Sequence, residues 1–170
     1  MAKITARILY EEIRAMNPEG GLYIWVDPDE SSTLTIQSLI MGAPFKTENS
    51  TEYHATVLYH QGALPKGAMM PHDYPCRAKI TELIVWPDKN GTGTVVALLD
   101  SPNLQSIHSA LLDQGLTHTF PEFKPHVTVG AKVESSPSLR LWLDEVNESL
   151  AKGGIAIAFD ARLKGATLAD

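Results

Sequence analysis

Two histidines, each followed two residues later by a threonine, carry the chemistry this chain could do: His54-Ala55-Thr56-Val57 and His126-Val127-Thr128-Val129. An imidazole titrates near pH ~6.5, so a neutral one can take a proton from an attacking hydroxyl while a charged partner gives one to the leaving oxygen. Threonine hydroxyls can donate to the non-bridging oxygens of a phosphate, where charge builds in the transition state. That set suits cleavage of a phosphodiester by acid–base catalysis, with no metal or cofactor called on. Residues two apart on a strand share a face, so His54 projects with Thr56 and His126 with Thr128. A single H-x-T in a chain with six histidines is unremarkable. Two copies, both H-x-T-V and both on predicted strands, are not.

The elements that must position them repeat. The first unit, about 21–60, runs from Gly21 through an apolar strand (Leu22–Val26), Asp27-Pro28, a helix and Gly42 to the first histidine motif. The second, about 93–130, runs from Gly93 through an apolar strand, Ser101-Pro102, a helix and Gly115 to the second. In each, 33 residues separate the opening glycine from the histidine. Such a repeat predicts two similar lobes related by an approximate two-fold axis, with the histidine pairs facing one cleft.

Around these units the pattern predicts a short amphipathic helix over Ile4–Met16, within an N-terminal segment 1–20. Asp27 is expected as N-cap and Pro28 as first residue of a helix reaching about Met41. The first motif sits on an expected strand Glu52–Tyr59, and residues 61–76 are expected to be irregular. Strands at Ile80–Trp86 and Gly93–Asp100 flank the turn Pro87-Asp88-Lys89-Asn90-Gly91. The second motif falls on an expected strand from Pro125 to Gly130, a helix follows over 138–151, and Ile155–Leu168 is a terminal strand region.

The segments HATV and KPHVTVG resemble the two signature motifs of the 2H phosphoesterase superfamily, and the resemblance covers about Gly21 to Leu168. It implies an α+β, bilobal fold: two pseudo-symmetric antiparallel-sheet lobes around a central cleft, helices outside, forming one domain over 1–170. It also implies catalysis on 2′,3′-cyclic or 3′,5′ phosphodiesters of nucleotides, with His54 and His126 as acid and base and Thr56 and Thr128 on the phosphate. Within the superfamily, size and motif spacing are most similar to phage enzymes that degrade the cyclic oligonucleotide signals of CBASS immunity. That narrower likeness implies metal-independent hydrolysis of 3′,5′ linkages, with the ribose 2′-hydroxyl as nucleophile, in the host cytoplasm. The alternatives are a 2′,3′-cyclic phosphodiesterase acting on RNA ends or small cyclic nucleotides, and a catalytically idle nucleotide-binding module.

Composition agrees with a small substrate. The net charge of −6 and the absence of any two adjacent basic residues argue against a long nucleic-acid partner. No apolar run approaches the ~18 residues of a membrane span, and nothing resembles a signal peptide, so cytoplasmic residence is expected. The single cysteine, Cys76, can form neither an internal disulfide nor a metal cluster.

Trp86, at a strand end between the two motifs, is a candidate platform for a base, as aromatic faces stack on any base. Tyr23 and Trp25 are read as alternating faces, so that one of them, Tyr23, borders the cleft. Lys124 could approach a phosphate or be a solvated loop residue. His60 is expected on the face of His54, about 20 Å along the strand at ~3.3 Å per residue. His72, His108 and His118 are expected at the surface.

Overall fold

The computed structural model describes residues 21–62, 76–120, 122–160 and 163–166. The helix expected at Ile4–Met16, His72 and nearly all of the expected irregular stretch 61–76 lie outside these residues. The described chain is α+β: seven strands in one antiparallel sheet and three α-helices. The repeat units share that single sheet.

Strand β1 (Leu22–Val26) buries Leu22, Ile24 and Val26 and turns Tyr23 and Trp25 to the opposite face. Helix α1 (Glu30–Leu39) starts later than expected. Its N-cap is Asp29, whose side chain accepts from the Ser32 N–H at 2.8 Å. Asp27 cannot serve, because its carbonyl accepts from the Asp160 N–H and Pro28 bridges Phe159, which keeps this stretch extended. Gly42, at φ 79°, marks the turn beyond the helix. A 3₁₀ turn at Ser50–Glu52, capped by Asn49, takes the place of the expected strand start, and β2 runs from Ala55 to His60.

Strand β3 (Cys76–Pro87) and β4 (Gly93–Asp100) form the expected hairpin, and β3 is longer than the apolar pattern indicated. Ser101 caps α2 (Pro102–Asp113), accepting from the Leu104 N–H with Pro102 in the first turn. Strand β5 (His126–Val133) carries the second motif, and Ser136 caps α3 (Pro137–Leu150). The terminal region divides into β6 (Ile155–Phe159) and β7 (Lys164–Ala166).

The strand order is β6-β3-β4-β5-β2-β1-β7. Consecutive strands β6 and β7 therefore occupy opposite edges, which requires the sheet to curl until its edges approach each other. Asp29 N–H donates to the Ala158 carbonyl at 3.0 Å and Asp160 N–H to the Asp27 carbonyl at 2.8 Å, joining the exit of β1 to β6. The core lies between the inner strand residues (Ala55, Val57, Ala97, Val127, Val129) and the helix residues Ile36, Leu104, Ile107, Leu111, Leu139 and Leu150. What remains is the other face of the central strands, and there the motifs emerge.

Candidate active site

Strands β2 and β5 are neighbours, antiparallel, with Ala55 opposite Val127. Both of those residues are fully buried. By alternation, His54, Thr56, His126 and Thr128 lie on the opposite face, and all four are partly exposed. The antiparallel register then sets Thr56 across from His126, and extending it by one residue sets His54 across from Thr128. Side chains so opposed have Cβ atoms about 4.5–5.5 Å apart. Each histidine thus adjoins the other motif's threonine, with the two imidazoles on a diagonal. On the same face Leu98 opposes His126, and Val96, buried but apart from the main core, opposes Thr128.

Both imidazoles are tethered alike. His54 Nδ1–H donates to the Glu52 carbonyl at 2.8 Å and His126 Nδ1–H to the Lys124 carbonyl at 2.9 Å. A carbonyl only accepts, so Nδ1 carries a proton in each ring and Nε2 is left to bind or release the mobile one. Burial holds the His126 imidazole below the usual histidine pKa. Its bond to the Lys124 carbonyl pulls the value up, and the charge of nearby His54 adds to the lowering. Thr56 Oγ1 lies 2.8 Å from the Tyr23 hydroxyl. Burial pushes the Tyr23 pKa upward, so it remains a phenol able to donate to Thr56.

The rings of Trp86 and His126 meet edge to face, centroids 4.3 Å apart. Beside them opens a cavity of about 410 Å³ lined by Tyr23, Thr56, Tyr59, Trp86, His118, Phe120, Glu122, Phe123, Lys124 and His126. Trp86 and Tyr23 both line this cavity, beside the histidine face.

Three expectations are corrected. Tyr23 and Trp25 do not alternate: residues two apart share a face, and their rings stack 5.1 Å apart. His60 is not on the face of His54. The β1–β2 register shifts between Ile24 and Trp25, and Val57 and Leu58 both turn to the core. This bulge brings Tyr59 to the cleft face and buries His60, whose Nδ1 accepts from the Thr117 N–H at 3.0 Å. Nor are His108 and His118 surface residues. His108 is buried, donates from Nδ1 to the Val57 carbonyl at 2.7 Å and stacks on Phe123 at 4.0 Å. His118 is half-buried and accepts from the Tyr59 N–H at 3.2 Å.

Tyr59, His118, Phe120 and Phe123 were missed as lining residues. The density of rings in His118–Phe123, just before the second motif, was the available signal. Among the described residues no group of three or more His, Cys, Asp or Glu side chains is placed to hold a metal ion. No helix among them is long and apolar enough to cross a membrane.

The chain is 28% identical over 110 residues to an anti-CBASS protein Acb1 of Vibrio phage KVP40, spanning 64% of this chain and 71% of that protein. It is 25% identical over 113 residues to an anti-CBASS protein Acb1 of Escherichia phage RB16, spanning 65% of this chain and 63% of that one. A family model for anti-CBASS protein Acb1 matches residues 20–147. That span is most of the chain and takes in both H-x-T motifs, Tyr23 and Trp86, so the chain with this two-histidine face belongs to the anti-CBASS protein Acb1 family.

Proposed function

We propose that this protein is a metal-independent phosphodiesterase that cuts 3′,5′ linkages of cyclic di- or oligonucleotide signals and so opposes CBASS immunity. The observation that carries the proposal is the matched tethering of His54 and His126, each with Nδ1–H on a carbonyl two residues back, which leaves Nε2 for the mobile proton. A binding module has no use for two imidazoles poised in this way. Membership in the anti-CBASS family supports a signal of that immunity as the substrate. The paired motifs resemble those of 2H phosphoesterases, and the order β4-β5-β2-β1 suits two pseudo-symmetric units meeting between β5 and β2 within one domain.

His126, neutral because burial lowers its pKa, takes the proton of the ribose 2′-hydroxyl at Nε2. The 2′-oxygen attacks the adjacent phosphorus as the bond to the leaving 5′-oxygen breaks, and His54 gives that oxygen a proton from its own Nε2. The product is a linear nucleotide ending in a 2′,3′-cyclic phosphate, and the two histidines have exchanged charge states. Water, activated in the reverse sense, then opens the cyclic phosphate and resets both. Thr56, with Tyr23 donating to it, is left to donate its own proton to a non-bridging oxygen, and Thr128 does the same from β5. Holding the 2′-hydroxyl beside the phosphorus supplies up to ~7–11 kcal/mol of the barrier in well-oriented cases.

The test is chromatography of 3′,3′-cyclic dinucleotides incubated with the protein in EDTA. The cyclic substrate is opened in chelator, and an analogue lacking the 2′-hydroxyl at the cut residue binds but stays intact. Cleavage that stops in EDTA and returns with Zn²⁺ or Mg²⁺, or rapid cleavage of the deoxy analogue, refutes the mechanism. Activity confined to 2′,3′-cyclic monophosphates or RNA ends points instead to a 2′,3′-cyclic phosphodiesterase.

A further inference from the structure

Among the described residues lining the cavity, Lys124 is the one permanently cationic side chain. The Leu99 N–H donates to the Pro125 carbonyl at 3.0 Å, so strand-like pairing reaches back past the start of β5. Lys124 therefore shares the face of His126, two residues or about 6.6 Å along the chain. Its ammonium stands 3.4 Å from the Glu122 carboxylate, with the two side chains 56% and 72% exposed. Such a solvated pair is weak, and an incoming anion can displace the carboxylate.

A cyclic dinucleotide carries two phosphodiesters, each with a full negative charge. The two-histidine face can hold one. The other lies across the ring from it, toward a cavity whose described walls are aromatic apart from His118, His126, Thr56, Glu122 and Lys124. In a protein of net charge −6 that second charge needs a local counter-ion. We infer that Lys124 leaves Glu122 and binds the second, uncut phosphodiester, selecting cyclic dinucleotides over substrates with a single phosphate, while Glu122 competes against them. This deepens the phosphodiesterase proposal and rests on it.

The experiment compares kcat/KM for a 3′,3′-cyclic dinucleotide with that for a dinucleoside monophosphate of the same bases, which has one 3′,5′ linkage and no second phosphate. Loss of one charge-assisted contact corresponds to about tenfold or more, so Lys124→Met lowers the cyclic-to-linear ratio by at least that factor. Glu122→Gln raises the same ratio by freeing the lysine. A ratio within about threefold of wild type for Lys124→Met, or one that falls for Glu122→Gln, overturns the assignment of Lys124 while leaving the phosphodiesterase standing. Wild-type protein that cleaves neither substrate overturns both.

Discussion

At the scale of residues, the tether on Nδ1 gives the site its logic. Each ring spends one nitrogen on a backbone carbonyl, so in the proposed mechanism Nε2 is the nitrogen that exchanges the proton. His54→Ala and His126→Ala are each expected to lower kcat by ~10²–10⁴-fold, with the double variant losing less than the product. Circular dichroism should show both folded, since neither ring is part of the core. The pH profile has a predictable asymmetry. The His126 pKa lies below the usual ~6.5, so the acid limb, where the base becomes charged, falls below that value. An acid limb above pH 7 would reverse the roles of the two histidines. The same shift bears on stability. Between the lowered folded value and ~6.5 the unfolded chain binds more protons than the folded one, so stability falls as pH drops through that window. His118, whose pKa burial also lowers, acts in the same direction.

At the scale of elements, most of the architecture around the site was legible. Apolar runs marked β1 and β4, the second H-x-T-V motif fell on β5 as expected, and Ser101-Pro102 marked the start of α2 within the residue. Two features were not. Thr56 to His60 reads as plain alternation unless Val57 and Leu58 are known to be buried together, and only pairing with β1 decides that. The second was the cap of α1. Asp27 and Asp29 both flank Pro28, and the choice between them belongs to β6, which holds Pro28 extended from more than 120 positions away. The candidate site was more legible than the cavity beside it, because H-x-T is a local pattern while the aromatic wall comes from four separate segments. Strand β5 also carries a steric requirement close to the motif. A Cβ at Gly130 would stand 2.5 Å from the Phe45 ring, which packs edge to face on Trp142. Gly130→Ala is therefore expected to cost about 1–3 kcal/mol, read from urea unfolding, because the ring must move. An unchanged midpoint would mean that Phe45 swings away freely.

At the scale of the whole molecule, the curl of the sheet is held by contacts of unequal worth. Ser32 is buried, and its hydroxyl accepts from the Ala158 N–H at 2.7 Å, fastening α1 to β6. Ser32→Ala leaves that partly buried amide without its side-chain acceptor, and a loss of about 1–3 kcal/mol is expected in chemical denaturation. The Lys164–Asp27 ion pair lies to one side of that seam, linking β7 to the exit of β1, and is partly solvated. Asp27→Asn should cost no more than about 1 kcal/mol, and less in high salt. Equal losses for the two variants would show that the buried hydroxyl contributes no more than a solvated ion pair.

The closed seam has a further effect on how the protein meets other chains. A sheet normally ends in two rows of unpaired amides and carbonyls that can template strand addition and aggregation. Here one edge strand, β7, is only three residues long and begins with a lysine. The other, β6, is engaged on its outer side by Pro28, Asp29 and Ser32. The fold that curls to present two histidines on one face thereby also leaves, among the described residues, only a short open edge for crowded copies to zip onto.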